Sequence, residues 1–232
     1  MITRVLTLAL FTVASLCAIA QSNTPRQEIL IKTTMGNIRV ALYNETPRHR
    51  DNFIKLVREG FYDGILWHRV IKNFMIQTGD STTRHAQPGD YVGLHAPDYT
   101  LPAEIVYPTF FHKRGALAAA REGDDSNPQR ASSSSQFYIV YGKTYSTAAL
   151  NDFQRTIREN TQGQYEMTDS IRSYYHKHGG TPHLDGQYTV FGEVIEGLDT
   201  VRRIQEAFTD DDDRPVDDIR IVRAVVIEPL SK

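Results

Sequence analysis

The chain of 232 residues contains one cysteine, Cys17, and one tryptophan, Trp67. A lone thiol closes no disulfide within the chain, and without a second cysteine there is no zinc-type cysteine spacing. Cys17 lies inside an apolar N-terminal stretch, so everything after it is indifferent to the redox state of its compartment. A dominant sign of charge is also missing. The 26 basic and 28 acidic residues leave a formal net charge of −2, which offers no electrostatic footing for nucleic acid or an anionic membrane. Heptads, internal repeats and glycine-rich phosphate loops do not occur, and no G-x-S-x-G elbow surrounds the serine run 132–135. His176, His178 and His183 lie close in sequence without a supporting cysteine or carboxylate pattern, so they read as solvated. Asp210 to Asp213 lacks the glycine and closing glutamate of a calcium loop and reads as a solvated acidic turn. No metal and no cofactor is expected.

The N-terminus is distinctive. A short basic lead, M-I-T-R, precedes the apolar V-L-T-L-A-L-F-T-V-A-S-L-C, and Ala18-Ile19-Ala20 supplies a small-x-small cleavage signal before Gln21. With roughly 16 apolar residues, the segment is shorter than the ~20 that a spanning helix requires. The pattern predicts a signal peptide over 1–20 and an exported, periplasmic protein over 21–232. Secretion or a retained membrane tether are the alternatives.

Residues 28–43 alternate apolar and polar positions around Met35-Gly36-Asn37, which predicts two strands joined there. Thr46-Pro47 predicts a helix start capped by threonine, with Phe53, Leu56 and Val57 inward and Gly60 as the stop. Gly115 to Ala120, Gln136 to Val140, Tyr188 to Phe191 and Ile219 to Ile227 predict further strands, and Leu198 to Ala207 a second helix. Many short strands with two separated helices point to an antiparallel barrel or sandwich with capped ends. Residues 145–182 break this rhythm. Leu150, Phe153 and Ile157, then Met167, Ile171, Tyr174 and Tyr175, fit two helical faces and predict a helical insertion.

The stretch W-H-R-V-I-K-N-F-M-I-Q-T-G-D, residues 67–80, has hairpin character but places Arg69 and Gln77 among apolar neighbours. A two-residue loop sets Arg69 opposite Ile76. A three-residue loop, Lys72-Asn73-Phe74, sets it opposite Gln77, whose carbonyl can then brace the guanidinium.

This segment resembles the F-H-R-V-I-x-x-F-M-I-Q-G-G-D signature of the cyclophilins, the peptidyl-prolyl cis–trans isomerases. Gly115-Ala116-Leu117-Ala118-Ala119-Ala120, Ser135-Gln136-Phe137-Tyr138-Ile139 and Leu184-Asp185-Gly186-Gln187-Tyr188-Thr189-Val190-Phe191-Gly192 extend the resemblance in family order. It covers about residues 28–144 and 183–230. It implies a mainly β fold, an eight-stranded antiparallel barrel capped by two helices and carrying the insertion.

The resemblance also implies a site. Arg69 would be the catalytic donor and Gln77 its brace, and Phe74, Met75, Tyr138 and Leu184 would line a proline pocket. Backbone near Ala120 and Arg121 would hold the substrate chain, with Gln136, His183 and Tyr188 also binding substrate. The implied partners are proline-containing peptides and unfolded exported proteins, handled by a monomer without cofactor. A peptide-binding holdase is the competing class, though a mere binder need not keep the arginine. Arg121 stands where the family often has asparagine, and Tyr138 where phenylalanine is usual. Tyr188 replaces a histidine of eukaryotic members. His183 replaces the tryptophan of members that bind cyclosporin tightly, which implies weak inhibition here.

Overall fold

The computed structural model describes residues 25–228. The signal peptide expected over 1–20 therefore lies outside the described residues. In chain order the elements are β1 (Glu28–Thr33), β2 (Gly36–Leu42), α1 (Pro47–Arg58), β3 (Arg69–Ile71), β4 (Met75–Thr78), β5 (Thr100–Leu101), β6 (Ala116–Ala119) and β7 (Ser132–Ser133). They continue as β8 (Phe137–Val140), α2 (Thr147–Asn160), α3 (Asp169–Lys177), β9 (Val190–Glu196), α4 (Leu198–Gln205) and β10 (Ile221–Ile227).

Eight strands form one antiparallel sheet in the order β10-β1-β2-β9-β6-β8-β4-β3. The sheet curls until its edges approach. Trp67 donates its N–H to Ile219 O at 2.8 Å, Ile221 donates to Ile65 O at 2.8 Å, and Leu66 and Arg220 form a bridge between the two edges. The mainly β barrel expected from the sequence is the fold observed. One turn differs by a residue: β1 and β2 pair through Thr33 and Gly36 around Thr34-Met35, so Gly36, at φ +128°, sits in the strand. The Thr33 hydroxyl decides this by accepting from Met35 N–H at 3.0 Å and donating to Gly36 O at 2.6 Å.

The alternation of side chains across the strands divides the barrel into an inside and an outside. Ile76, Leu117, Ala119, Phe137 and Ile139 point into the main core with Phe53, Leu56 and Val57 of α1 and Val201 and Ile204 of α4. Met75, Ala116, Ala118, Tyr138 and Val140, their immediate neighbours in sequence, form a second cluster on the outer face. Both faces of β6 and β8 are therefore covered, which explains why these strands read as continuous apolar runs. The small Ala116 and Ala118 leave room for the outer cluster.

The start of α1 departs from expectation. Thr46 occupies the cap position, but its side chain makes no cap hydrogen bond. Its hydroxyl turns back to Tyr43 O at 3.4 Å, and the Glu104 carboxylate instead accepts from the N–H groups of Arg48 and His49 at 3.1 and 3.0 Å. An anion at this end meets both the unpaired amides and the helix dipole, so a carboxylate from elsewhere in the chain displaces the local hydroxyl.

Within 145–182, Leu150 and Ile157 of α2, Met167 of the connection, and Ile171 and Tyr175 of α3 pack into a third cluster with Tyr107. The ends of this stretch meet, because Gly180 N–H donates to Lys143 O at 3.2 Å. No helix among the described residues is long and apolar enough to cross a membrane.

Candidate active site

The β3–β4 hairpin resolves its own register. Arg69 pairs with Gln77, Val70 with Ile76 and Ile71 with Met75, which is the three-residue loop. Asn73 supplies the left-handed residue such a loop needs, at φ +59°, and its N–H donates to Gln205 Oε1 of α4 at 2.7 Å. The helix that caps the barrel thereby holds the loop in place. Phe74 O accepts from Tyr141 N–H at 2.9 Å and from Gly142 N–H at 3.0 Å, tying the loop to the end of β8.

A pocket of about 160 Å³ opens beside this hairpin, lined by Arg69, Phe74, Met75, Gln77, Ala120, Arg121, Tyr138, Leu184 and Tyr188. Nine of the expected residues thus share one wall-and-floor arrangement on the outer face. Gln136 lies one bond away: its Oε1 accepts from Gln77 Nε2 at 3.0 Å, while its Nε2 donates to Gly93 O at 2.9 Å and His95 O at 3.2 Å. His183 is not among the lining residues. Its ring lies 5.3 Å from that of Phe74.

Two details of the expected site change. Gln77 does not brace Arg69: no hydrogen bond joins the two among the described residues, and the Gln77 Nε2 donates to Gln136 Oε1. Gln136 must turn its NH2 toward two backbone carbonyls, so only its oxygen is left for Gln77, which then presents its own NH2. The brace is Asp213, whose Oδ2 accepts from Arg69 Nε at 3.2 Å. Val70 N–H also donates to Asp213 O at 2.8 Å, and Asp213 sits at φ +64°. The acidic turn read as merely solvated is therefore partly a docking element for the arginine. The second change concerns Ala120. Its N–H donates to Gln136 O and its C=O accepts from Ser133 N–H, at 3.0 and 2.8 Å. Of the two, Arg121 is the one whose peptide groups have no hydrogen-bond partner among the described residues.

Pairing through Nε leaves the terminal NH2 groups of Arg69 without a hydrogen-bond partner among the described residues. Arg69 is 45% exposed and also borders a cavity of about 240 Å³ on the side of Asp210 and Asp212, so it stands on a ridge between two hollows. Replacing Asp213 by asparagine, which tolerates the left-handed backbone, is expected to lower turnover about threefold at low salt, with the difference shrinking in high salt. Equal loss at both ionic strengths would show that charge is not the holding force.

Arg121 is fixed from both sides. Nε donates to Gln187 O at 2.9 Å, Nη1 pairs with Asp124 at 2.6 Å, and Cζ lies 4.4 Å over the Tyr188 ring. Tyr138 is 4% exposed, and its hydroxyl finds His112 Nε2 at 3.0 Å. Burial holds that phenol well above its usual range. Nothing in the sequence singled out His112 as the partner.

His68, beside Arg69, is buried with neither ring nitrogen hydrogen-bonded among the described residues. Burial is the main cause that pushes it from 6.5 down to about 4. The unfolded ring takes its proton near pH 6.5, while the folded ring resists until about pH 4. Stability is therefore complete above 6.5 and is lost as pH falls from 6.5 through 4, by on the order of 3 kcal/mol. Urea unfolding at pH 7 and pH 4 should show His68→Leu losing less than wild type over that interval. Equal losses would mean that His68 is not the titrating group. The other histidines take separate places: His176 Nδ1 bonds Tyr145 O at 2.9 Å, and His178 packs 4.8 Å from Tyr174.

Comparison with known proteins gives consistent matches. Residues 28–226 match the family described as cyclophilin type peptidyl-prolyl cis-trans isomerase/CLD. A Staphylococcus aureus relative whose name places it among the peptidyl-prolyl cis-trans isomerases is 32% identical, over 87% of this chain and 91% of its own. The peptidyl-prolyl cis-trans isomerase-like 1 protein of Aspergillus fumigatus is 30% identical, over 87% and 96%. A crystal structure of a Cryptosporidium parvum cyclophilin type isomerase superposes with a TM-score of 0.61 at 24% identity, covering 88% of this chain and 99% of that one. A second structure of that protein, in the presence of the dipeptide Ala-Pro, gives 0.60 at 24% identity, covering 88% and 100%. At such identity these two speak for the fold.

Proposed function

Since the chain belongs to the cyclophilin-type peptidyl-prolyl cis–trans isomerase family and is an isomerase of that kind, we propose that it accelerates X-Pro isomerisation in exported proteins, with Arg69 as the catalytic donor. The observation that carries this reading is the 160 Å³ pocket that brings Arg69 to the edge of an apolar floor. Its volume matches that of an engineered cavity of roughly 150 Å³ that takes up benzene, so one proline ring fits.

Twisting the X-Pro bond costs ~18–20 kcal/mol of lost amide resonance, and no bond is made or broken. At the twisted state the prolyl nitrogen becomes pyramidal and gains a localised lone pair. A donor aimed there stabilises the transition state and not the planar ground state. The terminal NH2 groups of Arg69 are permanently charged, and Nε is already committed to Asp213, so the fork is oriented before substrate arrives. Phe74, Met75, Tyr138 and Leu184 would hold the ring, and the free peptide groups of Arg121 would pair with the chain preceding it. The dipeptide Ala-Pro, in whose presence the Cryptosporidium protein has also been crystallised, has the same X-Pro chemistry.

A protease-coupled assay on an X-Pro peptide tests the activity, and no acceleration over the uncatalysed rate would overturn it. The basic lead, apolar run and Ala18-Ile19-Ala20 support export to the periplasm. Mass spectrometry of the protein from its native envelope should find Gln21 at the N-terminus, whereas an intact Met1 would overturn cleavage. Cyclosporin should inhibit weakly, since His183, beside Phe74, offers no indole N–H. Nanomolar inhibition would contradict that.

A further inference from the structure

We propose that the insertion is a working part of the site: Tyr175 of α3 is a positioning residue that fixes Tyr138 in the floor of the proline pocket through Asp185 and His112. The inference rests on the reading of that pocket given above.

The connection is continuous and buried. Tyr175 Oη donates to Asp185 Oδ2 at 2.7 Å. Asp185 Oδ1 accepts from the His112 backbone N–H at 2.8 Å and from His112 Nδ1 at 2.9 Å. His112 Nε2 lies 3.0 Å from Tyr138 Oη. Tyr175 and Asp185 are fully buried, and His112 is 1% exposed. Three donors converge on Asp185 and no acceptor faces it, so its Oδ1 accepts a hydrogen bond from a protonated His112 Nδ1. With that tautomer set, Nε2 is an acceptor and the Tyr138 hydroxyl donates to it. Each bond thereby dictates the sense of the next.

Local backbone supports this path. Gly180, where the insertion returns, is at φ +146°, and a Cβ there would lie 2.3 Å from His112 O and 2.6 Å from the Tyr175 ring. Glycine is what allows the insertion to press Tyr175 against the His112 segment. A second line of contact reaches the other wall. Phe153 of α2 lies 6.1 Å from His183, which lies 5.3 Å from Phe74. The insertion therefore reaches both the floor and the rim.

Fully satisfied polar networks in a dry interior hold their members in one geometry, and their effect is felt cooperatively. Tyr138 stacks parallel to His112 at an interplanar angle of 13°, and Tyr188 meets both rings edge-on. Loss of the Tyr175 hydroxyl leaves Asp185 with one oxygen unpaired and frees the His112 ring to reorient, which loosens the pocket floor.

A double-mutant cycle tests the idea. Tyr175→Phe should lower kcat/KM for a proline peptide about fivefold, and it should have almost no effect in a Tyr138→Phe background. The 15N resonance of His112 Nε2 should shift in Tyr175→Phe, which a purely structural tyrosine remote from the pocket would not cause. Asp185→Asn, read in the same ways, serves if Tyr175→Phe does not fold. Unchanged kcat/KM, an equal loss in both backgrounds, or an unmoved Nε2 resonance would each overturn the proposal. If wild type proves inactive, the functional reading fails, and the resonance alone still decides whether Tyr175 acts on His112.

Discussion

Arg69→Ala is expected to lower kcat/KM for a proline peptide by about 10²–10³-fold, the loss typical of removing one transition-state donor. Its urea midpoint should stay close to that of wild type. Arg69 is 45% exposed and its ion pair with Asp213 is at the surface, where such pairs contribute little to folding. The two measurements together separate donor from scaffold. Arg69→Lys should rescue little, because a point charge on a flexible stem lacks the planar fork that Asp213 orients through Nε. Full activity in Arg69→Ala would refute the mechanism and leave the fold untouched.

Asp185→Ala is expected to cost about 3–5 kcal/mol of stability, the penalty of stripping one partner from a buried charged network. The carboxylate is inaccessible to solvent and receives two donors from His112 and one from Tyr175. Alanine leaves all three donors buried without an acceptor, and water has no easy route to replace the lost oxygens. Asp185→Asn should cost less, since one oxygen remains, although its NH2 must then face a donor. Urea unfolding of the two variants measures the difference. A loss below about 1 kcal/mol for Asp185→Ala would mean that the network is slack and contributes no more than a surface contact.

The site was legible to different depths. Met75, Tyr138 and Leu184 stood out because each belongs to a motif, contiguous in sequence, that carries the family resemblance, and the pairing of β4 with β8 puts Met75 and Tyr138 on one face. Asp213 did not stand out, being 144 residues from Arg69 in a run that looks like any solvated acidic turn. The Gln77 brace was a fair expectation from cross-strand pairing, and the pairing is present. The hydrogen bond to Arg69 is absent among the described residues, and the Gln77 NH2 is held by Gln136 Oε1, whose own NH2 is held by backbone carbonyls.

The same division runs through the whole molecule. By itself the sequence determined what depends on neighbours a few residues away. These are the period-2 strands, the glycine stop after α1, the two apolar helical faces within 145–182, and the choice of two hairpin registers. Tertiary structure decided whatever needs a partner from a distant segment. It selected the three-residue loop by giving Asn73 a bond from α4, capped α1 with Glu104 in place of Thr46, and turned Tyr138 toward His112. Local patterns are set by backbone geometry that any short stretch carries with it. A buried hydrogen bond exists only once the barrel has closed and removed the water that would otherwise satisfy both ends.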